Sequence, residues 1–70
     1  MPFKRVQDML DDCAKGSSWR FSNHFRMVKF NGKVYPTLPK ADTIELGHIR
    51  KMIRSLEIDR DCARKYIQIN

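Results

Sequence analysis

Asn31-Gly32 constrains this chain more than any other two residues. Both positions of an Asn-Gly pair take positive φ in a type I′ turn, whose twist matches that of the strands it joins. The flanking runs, His24 to Phe30 and Lys33 to Tyr35 or a little beyond, are rich in aromatic and β-branched residues and read as two antiparallel strands. A shorter strand precedes them between Ser17 and Asn23, with Trp19 and Phe21 on one face. Pro36 and Pro39 remove two backbone donors, so the chain is expected to leave the sheet there as an extended loop.

Helical periodicity flanks this β segment. Phe3, Val6, Met9, Leu10 and Cys13 form one stripe, which predicts an amphipathic helix from about Lys4 to Ala14, stopped by Gly16. Asp42 or Thr43 is suited to cap a second helix, with Ile49, Met52, Ile53 and Leu56 as its stripe. A last short helix starts at Ile58-Asp59, with Cys62, Ala63, Tyr66 and Ile67 inward. The predicted fold class is α+β, in the order α-β-β-β-α plus a C-terminal helix, as one domain over residues 1–70. Three antiparallel strands need one face covered, and the two main helices can cover it. The other face stays open.

The charge is concentrated. Of 14 basic residues, six lie from Lys15 to Lys40 (Lys15, Arg20, Arg26, Lys29, Lys33 and Lys40), and that stretch holds no Asp or Glu. The remaining eight cations are matched by eight acids, so the whole excess of +6 belongs to the sheet-forming segment. Localised positive charge on an open sheet is the footprint of a polyanion, nucleic acid before others. Trp19, Phe25 and Tyr35 are candidates for base stacking, although aromatic residues in so small a chain are more often buried.

In this order and at these spacings the residues resemble the HicA family, the toxins of HicA–HicB toxin–antitoxin pairs. The histidine eight residues before Gly32 is His24. The helix opening of that family is matched by Ile44-Glu45-Leu46-Gly47-His48-Ile49, and its basic-aliphatic helix by Arg50-Lys51-Met52-Ile53-Arg54. Leu56-Glu57-Ile58 stands where the family has Ala-Gly-Leu. Ser22-Asn23 replaces the small, glycine-containing pair that precedes the family's histidine, and His48 stands where threonine is usual. The resemblance covers about Met9 to Tyr66. It implies a double-stranded-RNA-binding-like fold and a metal-independent endoribonuclease that cleaves mRNA, with His24 as the catalytic residue. It also implies a HicB-like antitoxin as partner.

The chemistry suits these residue types. RNA carries its own nucleophile, the 2′-hydroxyl. A histidine, with an ordinary pKa near 6.5, can remove that proton or protonate the leaving oxygen. Preorganised cations stabilise the developing phosphorane charge. The candidate RNA-binding residues are Arg20, Arg26, Lys29, Lys33 and Lys40, and strand alternation places Arg26 on the face of His24. His24 and His48 are the only histidines, and no nearby carboxylate or cysteine completes a metal site of three or four ligands, so neither metal nor cofactor is expected. His48 reads as a surface residue at a helix start. Gly47, costly in a helix, suggests close packing against the sheet or close approach of a ligand.

Cys13 and Cys62 fall on inward helix positions and read as two buried, reduced thiols. With no apolar run long enough to span a bilayer and no secretory signal over Met1 to Leu10, the expected location is cytoplasmic, away from membranes. Two other function classes stay open beside the ribonuclease. One is a module of the same fold that grips nucleic acid without cutting it. The other is a protein-interaction domain whose basic face docks an acidic partner.

Overall fold

A computed structural model describes residues 1–68. The chain is a small α+β domain: helix α1 (Phe3–Cys13), strands β1 (Ser18–Phe21), β2 (Phe25–Phe30) and β3 (Lys33–Pro39), helix α2 (Leu46–Ser55) and a single turn α3 (Arg60–Ala63). The strands form one antiparallel sheet in the order β1-β2-β3.

The Asn-Gly turn forms as the sequence predicts, with φ of 58° at Asn31 and 71° at Gly32. It sets the register Phe30↔Lys33, Lys29↔Val34, Val28↔Tyr35. Val28, Tyr35 and Leu38 therefore point to one side, where they meet Val6, Met9 and Leu10 of α1 and Ile49, Met52 and Ile53 of α2 in a single core. Ile44, Leu56, Ile58, Ala63 and Ile67 close that core from the connections and the C-terminal turn. The helices thus cover one face of the sheet, and the opposite face is open.

The end of β3 and the start of α2 differ from the sequence expectation. β3 does not end at Pro36 but runs to Pro39. Arg26 pairs with Leu38 and Val28 with Tyr35, so Pro36 and Thr37 together face Met27 across a bulge. A bulge on an edge strand is where a residue without an N–H costs least. The start of α2 also shifts. Asp42 and Thr43 do not cap it: Phe3 N–H donates to Asp42 O at 2.8 Å, and Thr43 bridges Pro2, which draws the segment back to the start of α1. The cap position falls to Glu45, whose side chain makes no capping bond. Asp59 does cap α3, accepting from the N–H groups of Asp61 and Cys62.

The cysteines overturn the expectation of free thiols. Cys13 and Cys62 form a disulfide between α1 and α3, with Cα atoms 5.6 Å apart, inside the range a disulfide spans. Both helices do turn these residues inward, but towards each other. Tyr66 reinforces the junction by donating its hydroxyl to Asp12 at 2.9 Å. The cytoplasmic expectation drew on reduced thiols, and the disulfide removes that support. No helix among the described residues is long and apolar enough to cross a membrane.

Candidate functional site

Strand alternation decides which cations reach the open face. β1 pairs Ser18 with Lys29 and Arg20 with Met27, while Phe25 faces Pro39 and Lys29 faces Val34. Directly paired residues share a face. Ser18, Arg20, Phe25, Met27, Lys29 and Val34 therefore make up the open surface, and Arg20 and Lys29 are exposed on it. Ser18, Trp19, Arg20, Met27 and Lys29 line a shallow depression of about 110 Å³ there. Phe25 and Val34, towards opposite ends of the face, are 38% and 44% exposed, and half-buried Met27 between them completes an apolar floor. Two cations around an apolar floor can hold phosphates at the rim and bases on the floor.

The other candidates separate from this face. Arg26 is the main correction. It does not share a face with an accessible His24: it points to the helix side and is only 4% exposed. Its guanidinium lies 3.7 Å from the centre of the Phe3 ring, with Trp19 and Phe21 each 5.5 Å away. Nη1 donates to Pro39 O at 2.6 Å and to Ala41 O at 2.9 Å, whereas Nε is buried without a partner among the described residues. Burial pushes this guanidinium below its ordinary pKa, and Asp42 works in the opposite direction. Arg26 is thus a buried tie between α1, the sheet and the chain leaving β3, and its charge is not offered to a ligand. Lys33 is a second correction. Pairing with Phe30 sends it to the helix side, where it lies 3.6 Å from Glu57. Glu57 itself sits at φ 55° just after α2.

His24 does not begin β2. It is exposed in the tight turn between β1 and β2. That turn is held by Ser22, whose N–H and hydroxyl both donate to Phe25 O, at 2.8 and 3.1 Å. Lys40 donates to Asn23 O at 3.0 Å and lies 5.3 Å from the centre of the Phe21 ring, so its ammonium group is anchored one residue from His24. Among the described residues no side chain bonds the His24 imidazole. Lys40 is thus held at the turn that carries His24, and Arg20 stands on the adjoining open face.

Other readings resolve by burial. Trp19 is half-buried, edge-on to Phe3 at 4.8 Å, and Tyr35 is buried, which leaves Phe25 as the stacking candidate. Phe21, which the sequence did not single out, is 57% exposed. His48 is half-buried rather than a surface residue, and its Nδ1 is buried without a partner among the described residues. Gly47 has open space where a Cβ would stand, so close packing does not explain it. Asp12, Cys13 and Cys62 bring three potential ligand atoms within 4.8 Å of one another, but both sulfurs are committed to the disulfide and Asp12 to Tyr66. Compared with protein families, with curated proteins and with solved structures, the chain matches none.

Proposed function

We propose that this chain binds single-stranded RNA on its open sheet face and cleaves it at His24, as a HicA-like endoribonuclease of the double-stranded-RNA-binding-like class. The observation that carries the reading is the placement of an exposed histidine in a braced turn beside Lys40, at the end of a face bearing Arg20, Lys29 and Phe25. In the proposed reaction His24 takes the proton of the 2′-hydroxyl. The 2′-oxygen attacks the adjacent phosphorus, the bond to the 5′-oxygen breaks, and that oxygen takes a proton from water, while the protonated His24 returns its own to solvent. The products are a 2′,3′-cyclic phosphate and a free 5′-hydroxyl. Lys40 and Arg20 supply positive charge for the phosphorane. Within this reading the protein acts in the cytoplasm on mRNA and is held inactive by a HicB-like antitoxin.

The test is cleavage of a labelled single-stranded RNA by wild type and His24→Ala, with and without chelator. His24 is exposed and outside the core, so the variant is expected to fold and to bind RNA. Its cleavage rate is expected to fall by about 10²–10⁴, the usual worth of a positioned acid or base. Cleavage by wild type is expected to continue in EDTA and to leave the cyclic phosphate. Equal rates for the two proteins would remove His24 from catalysis. A second reading then takes over, in which the domain grips RNA without cutting it. The lack of an orienting partner for the imidazole among the described residues favours that reading.

A further inference from the structure

The outer edge of β1 is an unused template. β1 ends the sheet, and among the described residues no other strand pairs with that side. The bond from Ser22 N–H to Phe25 O continues the register in which Phe21 faces Arg26 and Arg20 faces Met27. Bonded and non-bonded pairs alternate along an antiparallel ladder. Ser18, Arg20 and Ser22 therefore turn their N–H and C=O groups towards β2, and Trp19 and Phe21 turn theirs outward. The opposite edge of the sheet is blunted by Pro36, Pro39 and the bulge. β1 carries no such protection.

A groove lies beside this edge. A cavity of about 150 Å³ between α1 and β1 is lined by Lys4, Gln7, Leu10, Asp11, Ser17 and Trp19. Phe21 stands edge-on to Trp19 at 5.2 Å and extends the apolar part of that lining, Leu10 and Trp19, outward. On the other side of the strand are Arg20 and, across from Ser18, Lys29. An added antiparallel strand would thus meet the Trp19 and Phe21 rings, with Lys4, Gln7 and Asp11 beyond them, on one face and positive charge on the other. A second copy of this chain does not fit that pattern. Two β1 strands paired through Trp19 and Phe21 about their centre set Arg20 against Arg20, and like charges directly opposite are destabilising.

We propose that the free edge of β1 binds an extended segment of a partner protein as an added antiparallel strand, one whose residues alternate between apolar and acidic. The apolar side chains lie against Trp19 and Phe21. The acidic ones face Arg20 and Lys29. The N–H and C=O groups of Trp19 and Phe21 supply the backbone bonds, the mode of recognition in which main chain gives affinity and side-chain pockets give selectivity. This proposal does not depend on ribonuclease activity.

Trp19 is the single tryptophan and forms part of the groove wall, so its fluorescence reports directly on occupancy. The probe is the blocked peptide Glu-Val-Glu-Val-Glu-Val, titrated to about 1 mM, followed by Trp19 emission and by amide resonances. In the added strand the valines pair with Trp19 and Phe21, so their amides face β1. Methylating those amides is expected to weaken binding at least about tenfold by removing backbone bonds, and a Lys-Val peptide is expected not to bind. Phe21→Pro, which removes one outward donor and leaves the ladder to β2 intact, should weaken the Glu-Val peptide in the same way. No binding of the peptide, or equal binding of the N-methylated form, overturns the proposal. So do shifts confined to Met27 and Lys29, or movement of the β1-edge amides by a single-stranded RNA oligomer and not by the peptide.

Discussion

Replacing Arg26 separates a structural role from a ligand-binding one. In Arg26→Ala two bonds from a charged donor disappear, those to Pro39 O and Ala41 O. Bonds of this kind contribute about 1.5–3 kcal/mol each, and the lower figure applies because Ala41 is exposed and its carbonyl can bond water instead. Loss of the stack on Phe3 removes about 1 kcal/mol more. The native state no longer buries a charge, which returns part of that loss. The net destabilisation is about 2–4 kcal/mol, against about 4–10 kcal/mol for the whole stability of a 70-residue domain. At about 4–8 °C per kcal/mol for a domain of this size, the melting temperature should fall by about 10–30 °C. Thermal unfolding followed by circular dichroism measures it. Arg26→Lys should recover only part of the loss, because an ammonium group cannot stack as a plane on Phe3 while bridging both carbonyls. An unchanged melting temperature in Arg26→Ala, combined with loss of RNA affinity, would refute the burial argument and return Arg26 to the binding face.

Other outcomes follow from particular contacts. Reducing the Cys13–Cys62 bond opens a loop of about 50 residues, which by chain entropy is worth about 4 kcal/mol; the guanidinium midpoint should drop sharply in dithiothreitol, and an unchanged midpoint would show the bond contributes nothing. The Tyr66 phenol is held above its ordinary value of 10.0, chiefly by its hydrogen bond to Asp12. This stabilisation is fully present below the ordinary value and is lost as pH rises through the folded one, so ultraviolet titration should show the Tyr66 transition above the ordinary value and moving down in Asp12→Asn. Gly47→Ala should stabilise the protein by about 1 kcal/mol, since nothing occupies the space of the added Cβ; loss of RNA binding in a stabilised variant would mean that a ligand approaches that backbone. With Arg20 and Lys29 as the phosphate contacts, log K should fall by about 1.4 per unit log salt on single strands, and each alanine variant should halve that slope.

Periodicity and turn chemistry made much of the fold legible. The Asn31-Gly32 turn, the stripes on α1 and α2 and the α-β-β-β-α order follow from residues close in sequence. What escaped depends on pairings made at a distance. Alternation from His24 put Arg26 on an open face, but the turn from Ser22 to Phe25 takes His24 out of the strand, and three aromatic rings from two elements enclose Arg26. Only the co-occurrence of Phe3, Trp19 and Phe21 hinted at such an enclosure, and their meeting could not be read from spacing. The inward positions of Cys13 and Cys62 were legible, but not that α3 sets one against the other. Pro36 stays in β3 because the bulge opposite Met27 removes the need for its donor.

The division of the central charge bears most on function. Six cations lie between Lys15 and Lys40, yet only Arg20 and Lys29 stand on the open sheet face. Arg26 is buried, Lys33 lies beside Glu57, and Lys40 is bonded to the turn that carries His24. A face with two phosphate contacts cannot hold a polyanion by counterion release alone, because each contact contributes only a fraction of a decade of salt dependence. The remainder must come from the apolar floor of Phe25, Met27 and Val34, and bases can reach that floor only when they are not already stacked in a duplex. A paired helix would offer phosphates to Arg20 and Lys29 but nothing to the floor. Under the proposed RNA-binding reading, this geometry favours single strands over duplexes, with selection by stacking where charge alone would not select.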